Sequence, residues 1–515
     1  MNKKIFNHLK EPRLKLPDKF YNGYGYSTYH NVGDVSYIRC FERNSYSCGA
    51  HGKFVNNKPQ LTEGHNHEAD PKLHLYNSFQ QDLFKATLAR PFQSFRLIYD
   101  HLSILHYEAA VKYTWAKMKP LMESWRRRNQ PRNPPTPHNL QQYSELLSMP
   151  EWSHLLTYPQ GQLRATTLRA SDGSLLTMLC NSDFLRLVDS SMLFMDATFR
   201  ITSRKPKVYQ VFTILGLIND RQALPLCWVL MTRKTTAAYR TALSHFKNQL
   251  APHINPETIM TDFEIAEDIA IKDVFPEAIH IGCFFHYCQA LTKRLEKLGL
   301  MELVSNWKYG RILIRKMMAL ALLPSIEALE GYQWIMRNIP ENIKVLFGSF
   351  FSYYHDQWIK KTPPELWSIY GHLHRTNNLA ESYHKKINLR FGTHPPIWKF
   401  TESLKTLQAV THIEYLSLRN GENIVRQAPQ PYENEMDIKI LKAWQLLNNK
   451  TLDVPHFLAC ASKFLKAFQR GVTQNLEDEN FAGQKINVPG NNGGIIDGNF
   501  DHLLIFQELD IMQDY

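Results

Sequence analysis

Between residues 184 and 298 the spacing of apolar positions alternates between two recognisable periods. Residues 192–199 open with the unbroken run Met192-Leu193-Phe194-Met195 and end Asp196-Ala197-Thr198-Phe199, which predicts a buried strand. Residues 208–218 and 223–231 predict two more strands, joined by the turn Asn219-Asp220-Arg221. Tyr239, Leu243, Phe246 and Leu250 then fall on one face of a helix. A short fourth strand is expected at 258–261, a helix at 265–274, and a fifth strand at 280–283 that runs directly into a helix ending near Leu298.

Three consecutive strands, then helix, strand, helix, strand and helix is the element order of an RNase H-like α/β domain. Its mixed sheet joins an antiparallel meander to parallel strands. We assign residues 184–300 to this core. Residues 301–375 read as an all-α insertion with Trp307, Trp334, Trp358 and Trp367 as core anchors. Residues 376–420 continue helical and carry a third acidic candidate, and 421–515 form a helical C-terminal region with a flexible tail at 487–498. Upstream, residues 20–70 alternate in short stretches such as Val35-Ser36-Tyr37-Ile38-Arg39 and read as a small β module. Residues 71–130 are a helical segment in which Phe84, Leu88, Phe92, Phe95 and Tyr99 recur at helical spacing. Residues 131–183 are a linker and helical lead-in, introduced by Pro131, Pro134, Pro135 and Pro137.

A chain of 515 residues exceeds one ordinary core, and 43% hydrophobic with 21% charged residues is a folded, globular composition. A formal net charge of +12 favours a polyanionic partner, for which nucleic acid is the commonest chemistry. No apolar run approaches the ~18 residues a spanning helix needs, and the first residues lack the apolar core of a secretory signal. Seven scattered cysteines, an odd number, argue for a reducing compartment with thiols free or on metal rather than a disulfide scaffold. Arg126-Arg127-Arg128 fits either a nuclear import signal or an ordinary solvated surface.

Three acids stand out against this background. Asp196 and Asp262 each end an apolar strand, and Glu381 lies one turn into a helix that begins at Asn377-Asn378. An aspartate after a strand is ordinarily a turn or cap residue, and a glutamate there is favoured by the helix dipole. Two parallel strands ending in aspartate would nevertheless bring both carboxylates to one sheet edge, where they repel unless a cation lies between. Carboxylates gathered from separate elements are what a two-metal site needs to clamp the attacking and leaving oxygens of a phosphodiester. Glu365, after two prolines, competes with Glu381 for the third place. Cys283 and His286, three apart, share a helix face; His286 suits a donor to phosphate, and the pair alone is too few ligands for zinc. In the β module, Cys40 and Cys48 followed by His65 and His67 offer two sulfurs and two imidazoles for tetrahedral zinc, with His51 as a substitute ligand.

These residues resemble two known families. Tyr24-Gly25-Tyr26, Tyr37-Ile38-Arg39-Cys40, Cys48 and Gly64-His65-Asn66-His67 resemble a FLYWCH-type zinc finger, with Ile38 where that family usually has tryptophan. Met195-Asp196-Ala197-Thr198-Phe199, Thr261-Asp262-Phe263-Glu264 and Gly282-Cys283-Phe284-Phe285-His286 resemble the transposase domain of Mutator-like elements. So do Arg375-Thr376-Asn377-Asn378-Leu379-Ala380-Glu381-Ser382-Tyr383-His384 and Pro395-Pro396-Ile397-Trp398-Lys399-Phe400. The resemblance spans about residues 20–420. It implies Asp196, Asp262 and Glu381 as a catalytic triad holding Mg²⁺ (or Mn²⁺), Cys283 and His286 as the family's Cys-x₂-His element, and zinc in the finger. The implied activity is cleavage of double-stranded DNA at transposon ends and strand transfer into target DNA, in the nucleus, by a homo-oligomer. A domesticated derivative that binds DNA as a regulator is the alternative, and an RNA-cleaving enzyme would leave the finger and the insertion without a role.

Overall fold

The computed structural model describes residues 14–469, except 15, 91–92, 130–132, 220, 423, 425–430 and 467–468. The chain divides into two units, Met1–Asn133 and Pro134–Tyr515.

In the first unit, five strands pair antiparallel in sequence order: β1 (Lys19–Tyr21), β2 (Tyr24–Val32), β3 (Val35–Cys40), β4 (His51–Val55) and β5 (Lys58–Glu63). The Asn56-Asn57 turn between β4 and β5 takes φ of 51 and 61°, the left-handed pair that tight hairpins require and asparagine tolerates. The sheet's hydrophobic core is Tyr26, Ile38 and Phe54, with a separate cluster of Cys40, Cys48 and Ala50. Ile38 is fully buried, so an aliphatic side chain fills the centre of this small core. Four helices follow: α1 (Leu73–Ala89), α2 (Phe95–Leu105), α3 (Tyr107–Lys112) and α4 (Trp115–Asn129), packed around Phe79, Ile98, Met118 and Met122. The helical spacing of Phe84 to Tyr99 does not mark one continuous helix. α1 ends at Ala89 before Pro91, and Ser94 starts α2 by accepting a hydrogen bond from the Leu97 N–H. Phe92 lies outside the described residues.

The second unit is organised by a seven-stranded sheet. After α5 (Leu140–Ser148) come β6 (Arg164–Arg169), β7 (Leu175–Cys180), β8 (Met192–Thr198), β9 (Gln210–Asn219) and β10 (Gln222–Met231). These are followed by α6 (Thr236–His245), β11 (Thr258–Thr261), α7 (Ile265–Val274), β12 (Ile279–Gly282), α8 (Phe284–Lys297), α9 (Lys308–Ala319) and α10 (Ser325–Asn338). The strand order is β12-β11-β8-β9-β10-β7-β6, with β12, β11 and β8 parallel and the other pairs antiparallel. β6 and β7 correct the reading of residues 131–183 as linker and helical lead-in. Their hairpin turns at Asp172-Gly173, where Gly173 takes φ of 80° and Asp172 accepts from the Ser174 N–H.

Because successive strand residues face opposite sides, the two faces have separate cores. Phe194, Val211, Trp228 and Met260 face α11 (Asn378–Phe391) and α12 (Ile397–Arg419). Leu193, Met195, Phe212, Val229 and Ile259 face α6 and α7. The single helical stretch expected over 376–420 is broken at Gly392, which takes φ of 73°, and by Pro395-Pro396.

Residues 301–367 are a run of helices whose core is shared with α13 (Pro431–Asn448) and α14 (Val454–Phe464). Trp444, Phe457 and Leu458 pack in one cluster with Leu320, Tyr354, Trp358 and Trp367. The helical layer is therefore assembled from two separated stretches of chain. Trp358 and Trp367 are buried anchors, whereas Trp307 and Trp334 sit partly exposed at its edge. The tail segment 487–498 lies outside the described residues.

Candidate functional site

β8 and β11 pair in parallel with Met192 opposite Thr258 and Phe194 opposite Met260. Continuing that register by two residues sets Asp196 level with Asp262, on the sheet face that carries Phe194 and Met260. This is the face on which α11 lies. Tyr383 of α11 is buried, and its hydroxyl accepts the indole N–H of Trp228 on β10. Ala380 and Ile387, three back and four on, join the same core, so the helix has one rotational setting. That setting turns Glu381 and His384 toward the aspartates.

The result is a compact cluster. His286 Nδ1 lies 2.7 Å from Asp262 Oδ1, and its Nε2 lies 3.8 Å from Glu381 Oε1. His384 Nδ1 lies 3.0 Å from Asp196 Oδ2, while Asp196 Oδ1 accepts from the Ala197 N–H. The His286–Asp262 contact is an ion pair without hydrogen-bond alignment: His286 Nδ1, Asp262 Oδ1 and Glu381 Oε1 are all buried with no hydrogen-bond partner. Burial opposes a charge on His286, but Asp262 and Cys283 outweigh it and push its pKa up to about 11. Burial raises the pKa of Glu381, His286 works against that rise, and Asp262 and Asp196 add to it.

Cys283 does not project from a helix beside His286. It precedes α8 in extended conformation, is fully buried, and its Sγ accepts the Asn377 N–H at 3.1 Å. With the Phe284 N–H donating to the Arg375 carbonyl, this ties the start of α8 to the start of α11. Sγ of Cys283 still lies within 4.8 Å of ligand atoms on His286 and Glu381. Glu365 is exposed on the short turn Pro364–Trp367. The potential metal-ligand group here, among the described residues, is Cys283, His286 and Glu381; Asp196 and Asp262 lie outside it, as does Glu365.

Two residues were not singled out from the sequence. His384 follows Glu381 by three positions, a spacing that puts both on one helix face and was legible. Glu267 on α7 is almost fully buried, and its Oε1 has no hydrogen-bond partner. Burial, then the charges of Asp262 and Asp196, push its pKa well above the usual carboxylate range. No local pattern separates it from an ordinary acid in the first turn of a helix.

The first unit holds the other cluster. Cys40 Sγ is 3.3 Å from His67 Nε2 and Cys48 Sγ is 3.5 Å from His65 Nδ1, and all four ligand atoms lie within 4.8 Å of one another. Tetrahedral Zn²⁺ with bonds of about 2.0–2.3 Å would separate its ligands by roughly 3.5 Å, so the donor set can bind zinc. The outer ring atoms are also held: His65 Nε2 contacts the Tyr26 hydroxyl at 3.0 Å, and His67 Nδ1 contacts the Glu68 carbonyl at 3.1 Å. Tyr24 stacks on His65 and Tyr46 on His67. His51 is exposed, bonded to the Gly49 carbonyl, and outside this group.

Residues 192–290 match the family model of the MULE transposase domain, which supports a Mutator-like transposase. The matched segment runs from β8 into α8 and contains Asp196, Asp262, Cys283 and His286. No curated protein matches the chain. Among the described residues, no helix is long and apolar enough to cross a membrane.

The buried acid gives a pH prediction. A carboxyl whose folded pKa is raised contributes stability below its unfolded pKa and loses it as pH rises toward the folded value. Without added divalent cation, Glu267→Gln is expected to melt above wild type at pH 8, by roughly 2–4 °C for each kcal/mol relieved. The gap should close as pH falls toward 4.5, and calorimetry across that range checks it. A difference independent of pH contradicts the assignment.

Proposed function

We propose that this protein is a DNA transposase of the Mutator-like class. In this reading residues 192–290 are part of an RNase H-like catalytic domain, and Asp196, Asp262 and Glu381 are its acidic triad. One observation carries it: three carboxylates from distant parts of the sequence gather on one face of the sheet around His286 and His384, with Asp262 Oδ1 and Glu381 Oε1 buried and without a hydrogen bond. The family match spans the segment that carries Asp196 and Asp262, and Glu381 lies beyond it.

The donor set suits hard divalent cations, because it is dominated by carboxylate oxygens that repel one another when nothing lies between them. Two bound Mg²⁺ (or Mn²⁺) ions would activate the attacking oxygen and stabilise the leaving one. The chain's own residues do the rest. His384 orients Asp196. His286 orients Asp262, reaches toward Glu381, and presents a cationic ring to a phosphate. Cys283 is a positioning residue that fixes the start of the helix carrying Glu381. Attack by water on phosphorus breaks the P–O bond to the departing strand, which leaves with a 3′-hydroxyl; that hydroxyl then attacks a phosphorus of target DNA and displaces the 3′-oxygen of the target strand.

The Cys40, Cys48, His65 and His67 cluster would be a FLYWCH-type zinc finger that recognises element ends, its lysines and arginines gripping phosphates. Pairing two ends would call for a homo-oligomer, and action on chromosomal DNA would call for a nuclear protein.

The catalytic reading is tested with the full chain, Mg²⁺ or Mn²⁺, and duplex DNA carrying the terminal repeats that flank its gene. Wild type should cut strands and Asp262→Asn should lose at least about 100-fold in rate while binding DNA unchanged. Binding without cutting by wild type would instead support a DNA-binding regulator. The finger makes a separate prediction. Wild type should carry about one zinc per chain and Cys48→Ser should carry far less, measured by elemental analysis. Equal zinc in the two would remove the finger from the account.

A further inference from the structure

A second concave site lies in the helical layer, lined by residues given no role above. A cavity of about 570 Å³ opens between α8, which supplies Arg294, and residues 348–361, which supply Ser349, Ser352, Tyr353, Gln357 and Lys361. The two walls are fixed to each other. Tyr287 on α8 shares a hydrogen bond of 2.8 Å with the Tyr354 hydroxyl and packs its ring edge-on against Trp358 at 4.8 Å.

Arg294 is the centre of this site. Its Nε is buried with no hydrogen-bond partner among the described residues. The guanidinium stands 5.0 Å from the centre of the Tyr353 ring, whose face steadies the charge but offers no oxygen. A buried N–H of a cation that lacks an acceptor is costly, and such groups are normally paired. Asp356, the acid in the lining, is paired instead with Lys360 at 3.3 Å and His355 at 3.6 Å. Lys361 adds an exposed ammonium, and Ser349 and Ser352, three apart, add hydroxyls on one helix face. A planar fork of donors, an ammonium and two hydroxyls form a donor set for a phosphate.

The position of the cavity says which phosphate. Arg294 follows His286 by eight residues on one helix, a rise of roughly 12 Å. The opposite wall is anchored beside the same cluster, because Trp358 packs edge-on at 4.9 Å against Phe263, the residue after Asp262. A DNA strand carries one phosphate per ~3.4 Å of duplex axis, so such a distance spans about three to four nucleotides. The lining has donors but no second ring to sandwich a base, which favours a phosphate of a passing backbone over a free nucleotide.

We propose that this cavity seats one backbone phosphate of duplex DNA on Arg294, with Lys361, Ser349 and Ser352, and so fixes the strand relative to the carboxylate cluster. This rests on the DNA-processing reading above and deepens it by naming a point of grip outside the cutting centre. Arg294 is a positioning residue in this scheme.

The test pairs protein variants with DNA variants. Full-length wild type, Arg294→Ala and Arg294→Lys are titrated, without divalent cation, with duplex carrying the terminal repeats that flank the gene. The same duplex is then made with a single neutral methylphosphonate, moved one position at a time along each strand. In wild type, neutralising one particular phosphate should weaken binding roughly 10-fold, and in Arg294→Ala the same change should cost less than about 2-fold. On unmodified duplex Arg294→Ala should bind roughly 10-fold more weakly and lower the slope of log affinity against log salt by about 1. Arg294→Lys should keep the slope and recover part of the affinity. If every neutralisation costs wild type and Arg294→Ala equally, Arg294 grips no phosphate and the proposal is overturned. Unchanged duplex affinity and salt slope in Arg294→Ala overturn it as well. Mg²⁺-dependent cutting by the same wild-type preparation reports the catalytic reading separately. Cutting without a phosphate coupled to Arg294 sinks the cavity alone, and a coupled phosphate without cutting sinks catalysis alone.

Discussion

Two parallel strands in fixed register set Asp196 and Asp262 level with each other, and the rest of the second unit can be understood as support for that arrangement. A slip of one residue in either strand would send its aspartate to the opposite face, among Leu193, Met195 and Ile259. The register is protected by burial on both sides of the sheet, since each strand fills two separate cores at once. The third acid depends on a different contact, the seating of α11 through Tyr383 against Trp228, with Cys283 holding the first turn of that helix.

Such an arrangement is costly in the absence of counter-charge. Asp262 and Asp196 raise the proton affinity of both Glu381 and buried Glu267, which is the electrostatic signature of too many carboxylates in one place. His286 and His384 offset part of the repulsion by pairing with Asp262 and Asp196. Oxygens that remain buried and unpartnered are the strongest sign that the cluster is built for a ligand rather than for stability. The first unit shows a related economy at smaller scale. A five-stranded sheet that buries three large side chains has little core of its own, and a metal on Cys40, Cys48, His65 and His67 would tie its ends together.

Much of this was legible in the sequence, for identifiable reasons. Unbroken apolar runs placed β8 to β12, because strands buried on both faces leave no polar positions to confuse the period. β6 and β7 were missed because β6 is an edge strand, half-exposed and threonine-rich, with no run of apolar residues to mark it. The joining of α13 and α14 to the 301–367 helices is a long-range contact with no local signature. The acids Asp196, Asp262 and Glu381 stood out through their neighbours, whereas His384 was passed over although its spacing from Glu381 puts both on one helix face. Glu267 carried no such mark, since its meaning lies in the burial and the neighbouring acids that surround it.

The most direct test of the central claim is anomalous diffraction from crystals of the full chain soaked in Mn²⁺. The account predicts density bounded by the carboxylates of Asp196, Asp262 and Glu381, two ions about 3.5–4 Å apart once DNA is bound, and its loss in Asp196→Ala. Crystals saturated with Mn²⁺ that show no peak there, or a peak that survives the substitution unchanged, would contradict it.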